Sequence, residues 1–136
     1  PLGVADIKRE GKDCTIVARS MTVPLALQAA ELIQTEFDVS VEVIDPRTIK
    51  PLDIDTIVNS IKKTNRLVIA EESHEFASVG AEITYQVMDH AFDYLDAPVK
   101  RISTTETPMP YAKSLEALAL PSVEKIVAAV KEVCYL

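Results

Sequence analysis

Glycine is scarce: three residues in 136, at Gly3, Gly11 and Gly80. None falls within G-x-G-x-x-G or G-x-x-x-x-G-K-[ST], where closely approached backbone amides cradle phosphate, so the sequence speaks against nucleotide chemistry. Histidine and cysteine are scarcer still, two of each. His74 and His90 show neither H-x-x-x-H nor H-E-x-x-H spacing, and no cysteine accompanies them as a metal ligand would. The G-x-S-x-G turn of serine hydrolases is absent, and Ser20, Ser73 and Ser78 read as turn or cap residues. Tryptophan is missing, aromatics make up 5%, and no apolar run approaches the roughly 20 residues of a helical membrane span. Basic residues are in deficit, 14 Lys and Arg against 21 Asp and Glu, for a net charge of −7. That balance argues against a sequence-independent grip on nucleic acid or an anionic membrane, and it favours a basic partner. Cys14, in an apolar strand-like run, and Cys134, on the apolar face of the last predicted helix, read as core hydrophobes suited to a reducing compartment. The first residue is Pro1 and no leader-like segment precedes the folded pattern, which reads as an excised or processed piece.

What is present is patterned. Hydrophobic residues reach 48%, and a single domain of this length buries roughly two-thirds of its unfolded surface. Ala5 and Ile7 alternate with charges, as in an edge strand, before a turn at Gly11 to Asp13. Cys14 to Arg19 reads as a buried strand. Ser20 or Thr22 is a candidate cap for a helix reaching about Phe37, whose Ala26, Ala29, Ala30 and Ile33 form a face of small residues. Val39 to Asp45 is the third strand. Asp53 caps a helix with Ile54, Ile57, Val58 and Ile61 on one face. Leu67 to Ala70 is the apolar run of a central parallel strand. A helix from about Val79 to His90, a strand from Val99 to Ser103, and a last helix capped by Ser122 complete the order. Thr107 to Ala112 is a loop by its prolines.

Alternating strands and helices predict a three-layer α/β/α sandwich on a mostly parallel sheet. The turn at Gly11 to Asp13, taken alone, sets strand one antiparallel to strand two. Ligands in such folds gather at the carboxyl ends of strands, which places Arg47, Lys50, His74 and Gly80 on a candidate rim. Glu71, Glu72, His74 and Glu75 could serve proton transfer, but a solvated or interfacial loop is the simpler reading. Arg47 could hold an anion or form a structural ion pair, and Gly80 could expose helix amides or permit close packing.

Asp45-Pro-Arg-Thr-Ile-Lys-Pro-Leu-Asp53 resembles the D-x-R-T-[IL]-x-P-[LMW]-D motif of the transketolase C-terminal-like domain in beta subunits of thiamine-diphosphate-dependent 2-oxoacid dehydrogenases. Pro1-Leu-Gly3, Arg9-Glu-Gly11, Lys63-Thr-Asn-Arg-Leu-Val68, Gly80-Ala-Glu-Ile83 and Leu95-Asp-Ala-Pro98 extend the likeness along the chain. Thr107-Pro-Met-Pro-Tyr-Ala-Lys113 resembles the pyruvate-specific members. One departure stands out: Phe76-Ala-Ser-Val-Gly80 replaces the glycine pair and aromatic that usually precede Gly-Ala-Glu-Ile.

The resemblance implies a mixed five-stranded sheet of order 1-3-2-4-5 with strand one antiparallel, and one domain over residues 1–136 cut from a longer beta subunit. It implies a parent enzyme that decarboxylates pyruvate on thiamine diphosphate with Mg²⁺ and acetylates a lipoyl group. The cofactor and catalytic groups would lie in other parts of that enzyme, so no catalytic, cofactor-binding or metal residue is expected here, and the domain alone should be inactive. The implied role is assembly with an alpha subunit and a second beta subunit, and docking of the basic subunit-binding domain of the dihydrolipoyl acetyltransferase. Asp96 and the terminal carboxylate of Leu136 are the residues so implied. The mitochondrial matrix is the expected location, with a bacterial cytoplasm as the alternative. A stand-alone domain binding a small anion at Arg47, His74 and Gly80 remains the competing function.

Overall fold

A computed structural model describes residues 1–105 and 118–136. In chain order the described elements are β1 (Asp6–Arg9), β2 (Cys14–Ala18), α1 (Thr22–Phe37), β3 (Val41–Asp45), α2 (Ile54–Thr64), β4 (Leu67–His74), α3 (Val79–Ala91), a 3₁₀ turn (Phe92–Tyr94), β5 (Lys100–Thr104) and α4 (Val123–Val133). The sheet order is β1-β3-β2-β4-β5. β1 pairs antiparallel with β3, while β2, β3, β4 and β5 are mutually parallel. The topology implied by the resemblance is therefore present. The turn at Gly11 carries the chain from β1 past β3 to β2, so the two strands do run antiparallel, as the turn alone predicts, with β3 between them. Backbone of Val41 and Glu42 lies where a side chain on Gly11 would sit, which is why glycine stands there.

Strand alternation splits the core in two. Ile16, Ala18, Val43, Val68 and Ala70 face α1 and α4, and Ala26, Ala29 and Ala30 let α1 settle close to the sheet. Val17, Ile44, Leu67 and Ile69 face α2 and α3, meeting Ile57, Ile61, Ile83 and Val87. Caps define the helix starts. Asp53 accepts from Thr56 N–H at 3.1 Å, Ser78 from Ala81 N–H at 3.1 Å, and Ser122 from Lys125 N–H at 3.2 Å. α1 differs from expectation: neither Ser20 nor Thr22 caps it. Met21 occupies the cap position, and the Thr22 hydroxyl bonds instead to Arg19 and to the Ala70 carbonyl at 2.8 Å, fastening the helix start to β4.

β4 corrects a second expectation. Rather than ending at Ala70, it runs through the acidic segment to His74. Four steps from Ala70 to His74 are matched by two from Ile102 to Thr104 on β5, so the strand bulges where its apolar run ends. Alternation along β4 puts Glu71 on the same inward face as Ile69, beneath α3, at 1% exposure.

Candidate functional site

The parallel strands sort the candidate residues onto two edges of the sheet. Arg47, His74 and Gly80 lie at the carboxyl ends, after β3, at the end of β4 and in the first turn of α3. They do not form one constellation, because β2 separates β3 from β4. Arg47 pairs with Asp6 at 3.7 Å with both side chains well exposed, a contact worth little. His74 pairs in register with Thr104 as part of the sheet. Gly80 sits against the Glu71 carboxylate: a Cβ there would lie 2.6 Å from Glu71 Oε2 and 3.2 Å from Ile69 Cγ2. The positive end of α3 thus already faces a buried carboxylate, leaving an anionic ligand a like charge to overcome.

Asp96 and Leu136 lie on the opposite edge, where chain segments enter the strands. Asp96 precedes β5, Arg66 immediately precedes β4, and α4 ends there. These pieces are tied together. The Tyr135 hydroxyl donates to the Asp96 carbonyl at 2.9 Å, across 39 residues of sequence. Asp96 N–H donates to the Asn65 carbonyl at 2.8 Å, and Asn65 Nδ2 to the Tyr94 carbonyl at 2.8 Å. Arg66 Nε donates to the Val133 carbonyl at 2.9 Å while its terminal nitrogen stands 3.9 Å from the Asp96 carboxylate. The Asp96 side chain is 57% exposed, so a carboxylate on a fixed backbone remains open to a second cation. Tyr135 and Leu136 are 71% and 55% exposed beside it.

The site therefore offers one accessible carboxylate, an aromatic and an aliphatic side chain, and a backbone braced from α2 and α4. The sequence reading gave a site role to Asp96 and Leu136 only; Asn65 and Arg66 fall in the Lys63–Val68 motif without one, and Tyr135 in no motif. Asn65 did carry a signal: it ends α2 in the left-handed conformation, φ 67°, that asparagine tolerates.

Residues 3–126 match the family described as transketolase, C-terminal domain. The chain belongs to the transketolase C-terminal domain family. Among curated relatives, pyruvate dehydrogenase E1 component subunit beta of Rickettsia felis is 56% identical over 135 residues, covering 99% of this chain and 41% of the relative. The mitochondrial subunit beta-2 of Oryza sativa subsp. japonica is 53% identical, covering 99% of this chain and 36% of its own length. This transketolase C-terminal domain thus spans about two-fifths of the relatives it resembles. Its fold is shared by a solved split-gene transketolase, described as an inactive beta4 tetramer, with a TM-score of 0.84, 26% identity, and coverage of 98% of this chain and 42% of that one. The Thr107-Pro-Met-Pro-Tyr-Ala-Lys113 motif lies outside the described residues.

Proposed function

We propose that this transketolase C-terminal domain is the assembly and docking piece of the beta subunit of a pyruvate dehydrogenase decarboxylating component. Residues 1–136 would be one domain of that longer subunit. Identity of 50–56% over nearly the whole chain, against both bacterial and mitochondrial beta subunits, supports the parent. The parent enzyme oxidatively decarboxylates pyruvate and acetylates a lipoyl group, with thiamine diphosphate supplying the carbanion chemistry. The described residues do not fit that cofactor. The one glycine at a helix start faces the Glu71 carboxylate, and no group of three potential ligands among the described residues could hold Mg²⁺. The chemistry belongs to an alpha subunit and the rest of the beta subunit, paired in a tetramer. Mitochondrial matrix is the location we assign, and a bacterial cytoplasm would serve the same assembly.

The observation that carries the docking role is the Tyr135–Asp96 hydrogen bond, which joins the end of the chain to the loop before β5. It ties the residue next to Leu136 to the backbone of Asp96, which supports treating the two as parts of one surface. A basic subunit-binding domain from the acetyltransferase would place Lys or Arg side chains against Asp96 and the terminal carboxylate of Leu136, with the exposed Tyr135 supplying apolar contact. Asp96→Ala should weaken binding of that domain by about 1.5 kcal/mol or more, roughly tenfold, in calorimetric titration. Its thermal midpoint should stay close to that of the unsubstituted chain, since the hydrogen bonds at this position go to the Asp96 backbone and the side chain gives up only a long, partly exposed ion pair with Arg66. Equal affinity for the two chains would defeat the docking reading.

A further inference from the structure

Five arginines occur in the chain, and four of them meet an acid. Arg9 pairs with Glu31, Arg47 with Asp6, Arg66 with Asp96 and Arg101 with Glu75. Arg19 is the exception. Among the described residues its side chain makes no ion pair and no hydrogen bond, although acids outnumber bases 21 to 14. Its Nε is shut away from solvent without an acceptor, while the residue as a whole is half-buried. An enclosed N–H left unpaired costs free energy, so packing alone does not account for an arginine at this position. An unbranched apolar side chain would fill the same space without that cost.

The position has its own significance. Arg19 directly follows β2, the central strand of the sheet. From β2 the chain returns through α1 on one face of the sheet to β3, and from β4 it passes through α3 on the other face to β5. The connections therefore diverge between the carboxyl ends of β2 and β4, and open α/β sheets bind ligands in the crevice at such a point. Thr22 fixes Arg19 beside that crevice: its hydroxyl accepts from Arg19 N–H at 3.0 Å and bonds to the Ala70 carbonyl of β4 at 2.8 Å. Ala18 pairs with Ala70, so the next residues, Arg19 and Glu71, are neighbours in register. Glu71 is nevertheless no partner for Arg19. Its Oε1 accepts from the Ser73 hydroxyl at 2.6 Å, and its Oε2 lies under Gly80. α1 starts at Thr22 with no side-chain cap and no acid in its first turn, so its positive end adds to the field of the guanidinium.

We propose that Arg19 anchors a binding site for a small oxyanion, a carboxylate or phosphate group, at the crevice between the ends of β2 and β4. A planar guanidinium presents N–H donors in a fork that matches two oxygens of either group. The enclosed Nε and the clamped backbone hold the side chain in place, so little freedom is lost when an anion arrives. Glu71 in register and Glu72, which shares a small cavity with Thr22, restrict the site to compact anions and exclude a polyanion. The site is separate from the Asp96 edge and does not depend on the docking role.

The test follows the arginine side-chain N–H signals of the isotope-labelled chain by NMR, during titration with inorganic phosphate and separately with acetate, in a constant background of sodium chloride. Expected is a saturable shift of the Arg19 signal with at least one of the two anions. Arg19→Met should bind that anion at least about tenfold more weakly by calorimetry, while its thermal midpoint is no lower than that of the unsubstituted chain. Arg47→Gln should bind as the unsubstituted chain does. A response to phosphate alone assigns the site to a phosphorylated ligand, a response to acetate alone to a carboxylate, and a response to both to the chemistry they share. The shift in the unsubstituted chain is decisive even where Arg19→Met folds poorly. An Arg19 signal that does not move or does not saturate, binding that survives in Arg19→Met, or a shift centred on Arg47 would each overturn the proposal.

Discussion

Two small residues at the entrance to α3 carry opposite backbone demands. Gly80 has a side chain's worth of space already taken by Glu71 and Ile69. Ala77 stands within the stretch where related motifs carry a glycine pair, and it adopts φ 55°, a left-handed conformation that costs an L-residue about 1–2 kcal/mol. Gly80→Ala should therefore destabilise the domain by about 1–3 kcal/mol, because Glu71 is enclosed and cannot swing away. Ala77→Gly should stabilise it, by up to about 1 kcal/mol after the greater unfolded-state freedom of glycine is counted. Paired urea titrations would compare the two shifts, and a stabilising Gly80→Ala would show that α3 can move off the sheet at no cost. Close packing at Gly80 was readable in the sequence as one of two options. What lay against it was not, since Glu71 belongs to an acidic stretch whose composition reads as solvent-facing, whereas β4 continues through it and alternation sets that side chain inward beside Ile69.

Elements whose signals are local were legible, and those decided by distant partners were not. Asp53 and Ser122 cap the helices they precede, and the apolar runs of β2 and β4 mark their central place. The end of β4 escaped detection because its pairing with β5 continues after hydrophobicity stops, and the start of α1 because Thr22 bonds to a strand 48 residues away. Asp53 combines both kinds of information. One carboxylate oxygen caps α2, and the other accepts from Ala5 N–H at 2.9 Å and from the Thr56 hydroxyl at 2.6 Å, tying the approach to β1 onto α2. Burial raises its pKa, but the bonds from Ala5 and Thr56 outweigh it, so the folded value lies below the ordinary one. A depressed folded pKa contributes stability above the unfolded value of about 3.9, and that contribution fades as pH falls through the folded value. Asp53→Ala should cost about 1–2 kcal/mol at pH 7, and the gap to the parent should narrow in acid below about pH 4. Asp53→Asn, which can still cap, should lose less at pH 7. A gap that persists at the acid end would mean that the carboxylate charge is not what α2 and β1 share.

At the scale of the molecule, the sheet separates two edges that sequence reasoning treated unequally. General expectation for α/β folds favours the carboxyl edge, yet there Arg47 lies apart from His74 and Gly80, and the start of α3 faces Glu71. The opposite edge brings Tyr135 onto Asp96, a juxtaposition created by a bond spanning 39 residues and invisible to any local pattern. Net charge then bears on how a partner arrives. With −7 spread over 136 residues, a basic partner would be drawn in over distances set by screening, about 10 Å at 0.1 M salt and about 3 Å at 1 M. Steering of this kind acts on the association rate, whereas contacts made after arrival govern dissociation. Stopped-flow binding of the acetyltransferase's subunit-binding domain should show an association rate that falls several-fold between about 0.05 and 0.5 M salt, with a smaller change in dissociation. Asp96→Ala should lower the salt slope only slightly, since it removes one charge of many, but it should speed dissociation. Association that ignores salt would assign recognition to the apolar contacts of Tyr135 and Leu136 alone. Dissociation unchanged by Asp96→Ala would move the docking surface away from this edge.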